Sequence, residues 1–307
     1  MVVRLDRYDS DFEKEYWNCV NCHVSQIDQK DIVASCKKFM PSDFFSRKPC
    51  FEELVLAPYE KIKNAVCFIK QNEMKMKKEC FYINDTGKTD MSRPFKNLYH
   101  AYEGISQCIR NEVRMNVMLV RQLGLSVCPY CNRDYINSRA DRFLGAQLDH
   151  FYPRSLYPVF SACLYNLVPS CGTCNRLKSD NRLEFASPFD EEINWEESVK
   201  FSYEPTALNG KKIIIKAQGS VKHNIEEMHI EEAYQIHDLE VNELLDKVAM
   251  YTRTQFEEFR CVFGKAGMTE LEMKQMVFGY KITEGDMKRK PLARMMRDLE
   301  RELDIYE

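Results

Sequence analysis

The chain has 307 residues, of which 44% are hydrophobic and 30% charged, a balance that is ordinary for a folded globular protein. No apolar run approaches the roughly 20 residues of a membrane helix, and charges interrupt the first residues where a signal peptide needs an apolar centre. We therefore expect a cytoplasmic protein with no membrane segment. The formal net charge of −3 does not indicate a nucleic-acid binder, although a local basic groove on an acidic body would suffice.

The first 124 residues are predicted to be mainly helical. Ser10 and Asp11 are candidate caps of a first helix. From Ser92, another candidate cap, apolar residues recur at spacings of three and four as far as Val120, and Gly124 ends the run. This pattern predicts one long helix that leads into the central part of the chain.

Thirteen cysteines occur in the chain, and in a cytosolic protein clustered cysteines indicate metal binding more often than disulfides. Two Cys-x2-Cys pairs of matching spacing bracket the segment between them. Four thiolates make a closed tetrahedral site, which is the chemistry of structural zinc. The alternative is four buried free thiols. The predicted zinc ligands are Cys128, Cys131, Cys171 and Cys174.

A third pair, Cys19 and Cys22, precedes His23 and lacks an obvious partner pair. On a helix these two cysteines are simply neighbours on one face, and a second metal site is the alternative. Three further cysteines are expected to behave as buried small hydrophobic residues. They are Cys108, Cys163 and Cys261.

The segment between the zinc pairs alternates apolar and polar residues from Leu148 to Phe151, which predicts a strand that ends at Pro153. Such a strand sends Asp149 and His150 to opposite faces, and strand twist or a bulge would be needed for both to reach one site. Histidine can act as a base near neutral pH, and aspartate is a hard oxygen ligand for Mg²⁺. A solvated surface pair is the alternative interpretation of an isolated Asp-His dipeptide.

Beyond the second cysteine pair, short β-rich runs flank Asn209 and Gly210, which predicts a β-hairpin near residues 200–216. Helices are expected over residues 226–260 and in the tail from Leu292 to Tyr306. His237 lies on an apolar stripe and is predicted to be a satisfied core histidine, with a ligand role as the alternative.

The order Asp149-His150-x-x-Pro153, then Asn166, then the second cysteine pair with Asn175 and a lysine, resembles the HNH endonuclease family, whose core is a ββα-metal unit. The fuller string of residues 128–180 is similar to a bacterial subgroup that includes HNH proteins of anti-phage defence islands and restriction-like cassettes. The resemblance does not extend to residues 1–120.

The resemblance implies a role for each matching residue. His150 would be the general base that deprotonates the attacking water, and Asp149 with Asn175 would hold one divalent cation, Mg²⁺ or Mn²⁺. Asn166 would brace the loop between strand and helix and keep His150 aligned. Many family members have a third histidine where this chain has Asn175, and others also use asparagine there.

Two basic residues that follow Asn175, Arg176 and Lys178, are candidate contacts to backbone phosphates. The alternative for both is an ordinary basic helix face. No base-reading motif is evident in the chain.

The predicted fold class is α+β and mainly helical. A zinc-stapled ββα-metal core at residues 125–190 would lie between an N-terminal helical region, residues 1–124, and a hairpin with C-terminal helices, residues 191–307. The predicted function is a metal-dependent HNH endonuclease that acts on nucleic acid, with DNA expected as the substrate more than RNA. The resemblance implies that it is the effector of a bacterial anti-phage defence or restriction-like system and that it works with a partner ATPase. The alternative is a catalytically silent zinc-binding adaptor, which would not need Asp149, His150 and Asn175 together.

Overall fold

The structure, a computed structural model, describes residues 3–206, 210–264 and 267–306. The fold is mixed, with 54% helix and small antiparallel sheets, in agreement with a mainly helical α+β class. Each sheet has two strands, so the helices and loops, and not an extended sheet, supply most of the packing surface.

The N-terminal region is built of helices that pack around one another. Its first helix begins after Asp9, whose side chain accepts hydrogen bonds from the backbone amides of Asp11 and Phe12 at 3.1 and 2.7 Å. The helix therefore begins at Ser10, and its cap is Asp9 and not one of the predicted residues Ser10 and Asp11. The helices are α1 (Ser10–His23), α2 (Gln26–Phe39), α3 (Phe51–Val55), α4 (Tyr59–Gln71) and α5 (Glu73–Cys80), followed by the strands β1 (Phe81–Ile83) and β2 (Thr89–Met91).

The predicted long helix from Ser92 to Val120 is wrong, because two helices with a small hairpin between them occupy this segment. Asn111 and Glu112 both have positive φ, at 48° and 67°, and form the two-residue turn of that hairpin. Gly124 follows the second helix with φ 65°, as predicted for a helix end. The elements are α6 (Arg93–Gln107), β3 (Ile109–Arg110), β4 (Val113–Arg114) and α7 (Met115–Gln122).

The central segment contains two short strands and a helix in the order strand, strand, helix. Strands β5 (Gln147–His150) and β6 (Leu167–Ser170) pair antiparallel, with Asp149 opposite Val168. Helix α8 (Gly172–Lys178) follows directly. The loop between the strands carries two short 3-10 helices, at Pro158–Phe160 and Leu164–Asn166.

The C-terminal region begins with the predicted hairpin, whose strands pair antiparallel with Phe201 opposite Ile215. Of the predicted turn, Gly210 is described and Asn209 lies outside the described residues. The elements are α9 (Trp195–Ser198), β7 (Val199–Pro205), β8 (Lys211–Ala217), α10 (Gly219–Glu227), α11 (Ile230–Tyr234), α12 (Asp238–Met250), α13 (Arg253–Phe263), α14 (Glu270–Phe278), α15 (Glu284–Arg289) and α16 (Ala293–Glu302).

One hydrophobic core runs through all three predicted regions, from Val3 to Tyr306. The first described residues join distant parts of the chain, since the Val3 amide donates to the Pro129 carbonyl at 3.3 Å and the Leu5 amide to the Pro188 carbonyl at 2.9 Å. The central segment is therefore packed between the flanking helices. Within the described ranges, every helix is too short or too polar to cross a membrane.

The isolated cysteines differ in their surroundings. Cys163 is buried, as predicted, but Cys108 is only half-buried and Cys261 is exposed on α13. The expectation of a buried hydrophobic role is therefore wrong for Cys261.

Candidate functional site

Four cysteines from two distant segments converge in the central region. Their Sγ atoms lie within 4.8 Å of one another, and all four residues are buried. Cys128 and Cys131 lie in the turn after α7, and Cys171 caps α8, where its Sγ accepts the Cys174 amide at 3.4 Å. Four thiolates at about 2.3 Å from one ion satisfy tetrahedral zinc and leave no open position. The donor set fits structural zinc, as the sequence predicted.

The electrostatics of this cluster also favour a cation. Hydrogen bonds from the other three thiols lower the pKa of Cys131 well below its ordinary value, whereas burial raises the pKa of Cys128. Four adjacent buried thiols cannot all become thiolates without a positive charge among them. A zinc ion bound among the four sulfurs would supply that charge, and its binding would stabilise the fold.

Asn132 ties the first cysteine pair to the C-terminal helices, a role that sequence reasoning missed. Its φ is 53°, the left-handed conformation that asparagine tolerates better than most residues. Its Nδ2 donates to the Met287 carbonyl and its Oδ1 accepts the Arg294 amide, at 2.7 and 2.8 Å. The Leu292 amide adds a 2.7 Å bond to the Asn132 carbonyl. An asparagine immediately after a Cys-x2-Cys pair was the available signal.

Strand β5 places Asp149 and His150 on opposite faces, as the alternation predicted. Asp149 faces Tyr130 and α8, whereas His150 faces the loop between β5 and β6 and the side of α6. The two side chains have different hydrogen-bond partners, and no bulge brings them together. The expected convergence of both side chains on one site is absent from the described conformation.

His150 is held as a neutral ring. Its Nε2 lies 2.9 Å from the Ser161 carbonyl, and its ring centroid lies 4.5 Å from that of Tyr102 on α6. A carbonyl only accepts, so Nε2 must carry the proton and Nδ1 the lone pair. Burial lowers the pKa of His150 to about 3, which keeps the ring uncharged at neutral pH.

Asn166 braces the loop that holds His150. It is fully buried, its Oδ1 accepts the Tyr152 amide at 2.8 Å, and its Nδ2 donates to the Tyr152 and Phe160 carbonyls at 3.0 and 3.1 Å. Phe160 directly precedes Ser161, whose carbonyl binds the histidine. Asn166 therefore acts as a brace, but of the loop between the two strands and not of one between strand and helix.

Asp149 is buried in an ion pair within the chain. Its carboxylate accepts the Tyr130 hydroxyl at 2.6 Å and lies 3.0 Å from the Lys178 Nζ. Lys178 itself is 1% exposed, and its Nζ lies 5.2 Å from the Phe151 ring centroid. A phosphate contact by Lys178 does not fit this placement, nor does a role on a solvated helix face. Arg176, by contrast, is exposed on α8.

The pair expected to share a divalent cation is not assembled. Asn175 donates through Nδ2 to Gln147 Oε1 at 2.8 Å, while Asp149 is occupied by Tyr130 and Lys178. Mg²⁺ prefers near-octahedral oxygen ligands, and an ammonium group against the carboxylate takes the place of such a cation. In this arrangement the residues do not fit bound Mg²⁺ or Mn²⁺.

The C-terminal region contacts the first cysteine pair from outside. Tyr234, fully buried on α11, donates its hydroxyl to the Cys131 carbonyl at 2.7 Å. His237 lies 3.1 Å from both Arg133 Nε and Glu240 Oε1. This is the satisfied histidine that the sequence predicted, although it is partly exposed.

Comparison of the chain with models of known protein families, with curated proteins and with solved structures gives no match.

Proposed function

We propose that the chain is an HNH-type endonuclease that hydrolyses phosphodiester bonds, with DNA as a preferred substrate over RNA. The observation that carries the proposal is His150, which is neutral, anchored through Nε2 and placed on a ββα unit braced by zinc-binding cysteines. The backbone carbonyl fixes the tautomer, and the lone pair that this leaves on Nδ1 is the one that would take a proton from water. For this transfer the pKa of the ring, about 3 in the described conformation, has to rise when substrate binds.

The proposed reaction is in-line hydrolysis. His150 Nδ1 takes a proton from a water molecule, the water oxygen attacks phosphorus, and the bond from phosphorus to the 3′ oxygen breaks. The departing 3′ oxygen takes a proton from solvent, and His150 then releases its proton to solvent. By analogy with the family, the products carry 5′-phosphate and 3′-hydroxyl ends. Ser161 and Asn166 are positioning residues, because they hold the ring and its loop without touching the substrate.

A dependence on Mg²⁺ or Mn²⁺ is part of the proposal and rests on the resemblance. Such a cation would supply positive charge to the phosphate oxygens. In the described conformation Lys178 occupies the Asp149 carboxylate, so a cation would have to displace Lys178 to use Asp149 as a ligand.

The test is an assay of the purified full chain on supercoiled plasmid and on RNA, with Mg²⁺, with Mn²⁺ or with a chelator. We expect cation-dependent cutting of DNA and loss of cutting in His150→Ala. His237→Ala is the matched control, because that histidine is paired with Arg133 and Glu240 away from β5. Cutting of neither nucleic acid under any condition would contradict the proposal.

A second candidate function is a zinc-binding adaptor without chemistry, and the buried pair of Lys178 with Asp149 favours it. An adaptor would bind nucleic acid or protein through its surface and leave the substrate intact. Binding of DNA in a mobility-shift assay, without cleavage in either cation, would select this candidate over the nuclease.

The biological setting that we propose is the cytoplasm of a bacterium, with the chain as effector nuclease of an anti-phage defence or restriction-like system and an ATPase as partner. This part rests on the resemblance alone. We expect phages to form fewer plaques on cells that carry the complete system than on cells that carry the system with His150→Ala. Equal plaque numbers would contradict the defence role.

A further inference from the structure

A second cluster of metal-binding side chains lies between α1 and α6. Cys19 Sγ, a ring nitrogen of His23 and Cys108 Sγ lie within 4.8 Å of one another. Cys19 and His23 are one helical turn apart on α1, and Cys108 directly follows α6. The pattern Cys19-Cys22-His23 thus has a partner in Cys108. Cys22 is exposed and lies near Arg110, 4.0 Å from its Nη2.

The histidine of this cluster is held by the fold. His23 Nδ1 lies 3.9 Å from the Cys19 Sγ and 2.8 Å from the Cys19 carbonyl. An ion bound through Nδ1 would therefore replace the hydrogen bond to that carbonyl. The ring also lies against Gly104 of α6, where an added Cβ would come within 2.6 Å of His23 Cδ2. A side chain at residue 104 would displace the ring from this position.

Two helices end beside this cluster. Helix α1 ends at His23 and α6 ends at Gln107, and the C-terminal ends of helices carry partial negative charge. Cys19 Sγ also lies 3.6 Å from the Ile105 carbonyl in the last turn of α6. Two thiolates and one neutral imidazole balance the charge of a divalent ion.

We propose that Cys19, His23 and Cys108 bind a second transition-metal ion of the Zn²⁺ class, separate from the ion of the four-cysteine cluster. Thiolate and imidazole ligands select such borderline-soft ions over Mg²⁺ or Ca²⁺. Three protein ligands leave a fourth position open, and His23 is exposed, so this position faces solvent. A disulfide between Cys19 and Cys108 would not account for the imidazole that converges on both sulfurs.

The ion would tie the end of α1 to the end of α6. Helix α6 also carries Tyr102, whose ring packs against His150. The second site therefore supports the helix that lines the histidine, without contributing a residue to the chemistry there.

The test is the zinc content per chain of the full-length protein, measured by elemental mass spectrometry after purification under reducing conditions without chelators. We expect two zinc ions in the wild type and one in Cys108→Ser and in His23→Ala. Cys67→Ser, at an exposed cysteine outside both clusters, should retain two. His23 lies at the surface, so His23→Ala tests the site even where Cys108→Ser fails to fold.

Cobalt gives an independent readout, since Co²⁺ bound to thiolates has a charge-transfer absorption. Added to protein with only its four-cysteine site filled, Co²⁺ should produce this band in the wild type, weaken it in Cys108→Ser and lower its affinity in Gly104→Ala, which displaces the His23 ring. One zinc ion in the wild type, or equal zinc contents in the wild type, Cys108→Ser and His23→Ala, would overturn the proposal.

Discussion

Consecutive residues at the end of β5 have opposite electrostatic environments. Asp149 is buried beside the ammonium group of Lys178, so its negative charge is balanced within the chain. His150 is neutral and anchored to a backbone carbonyl. The histidine is thus held uncharged, whereas the aspartate is held as half of an ion pair.

At the residue scale, Lys178→Met tests the buried pair. Removal of one partner leaves a desolvated charge, which typically costs about 3–5 kcal/mol of unfolding free energy. We expect a loss of this size in urea unfolding, and about 0.5 kcal/mol or less for Arg176→Met at an exposed position of the same helix. Equal effects of the two substitutions would show that the pair does not form.

The neutral state of His150 predicts a dependence of stability on pH. Its pKa in the folded protein, about 3, lies below the ordinary value of 6.5. As pH falls below about 6.5 the unfolded chain binds a proton that the folded chain does not, so stability falls by up to about 1.4 kcal/mol per pH unit. The loss begins near pH 6.5 and ends near the folded pKa.

The measurement is urea unfolding of the wild type and of His150→Gln at several pH values between about 7 and about 5. The variant lacks the titrating ring, so the difference between the two curves isolates His150 from other acidic groups. Parallel curves would mean that the ring is not buried in its neutral form.

At the scale of elements, the turn between Cys128 and Asn132 joins the central unit to the helices that follow it. The side chain of Asn132 satisfies buried backbone groups before and within α16. The same turn contributes two sulfurs to the four-cysteine cluster. Loss of the metal or of Asn132 should therefore weaken the same junction.

Comparison of Asn132→Gly with Asn132→Ala separates backbone strain from hydrogen bonding. Both variants lose the side-chain bonds to the Met287 carbonyl and the Arg294 amide, at a cost of about 1–3 kcal/mol for groups left unsatisfied. Alanine should lose about 1–2 kcal/mol more, because it tolerates a positive φ poorly. A glycine variant as stable as the wild type in chemical unfolding would contradict the proposed junction.

Cys171→Ser tests the zinc-binding cluster itself. We expect loss of its zinc ion and a lower melting temperature, since structural zinc contributes directly to folding free energy. Cys67→Ser, at an exposed cysteine, should melt as the wild type does. A soluble Cys171→Ser protein with unchanged melting would contradict a structural zinc ion.

At the scale of the whole molecule, local patterns predicted the features that depend on neighbouring residues. The spacing of the cysteine pairs indicated their convergence, and the alternation around Asp149 indicated the strand and its two faces. The β-rich runs near Phe201 and Ile215 indicated the hairpin. The strand and the hairpin are each determined by residues a few positions apart in the sequence. The two cysteine pairs are far apart in the sequence, but their shared ability to bind one metal ion indicates that they come together.

The features that sequence reasoning missed depend on distant partners. The apolar spacing continues across Asn111 and Glu112, and only their positive φ values reveal the break in the long helix. Lysine is usually a surface residue, and Lys178 is buried because it forms an ion pair with Asp149 of a different element. Cys108 similarly joins Cys19 and His23 only after α1 and α6 have packed.

The proposed role of His150 as general base is tested by the single-turnover cleavage rate of His150→Ala beside the wild type, on whichever nucleic acid the wild type cuts. The zinc contents of the two samples should be equal, because His150 is not among the clustered cysteine and histidine ligands. We predict a loss of roughly 10²- to 10⁴-fold, the usual contribution of a positioned base, with partial recovery in added imidazole. Cleavage by His150→Ala at the wild-type rate would contradict the assignment of His150 as the general base.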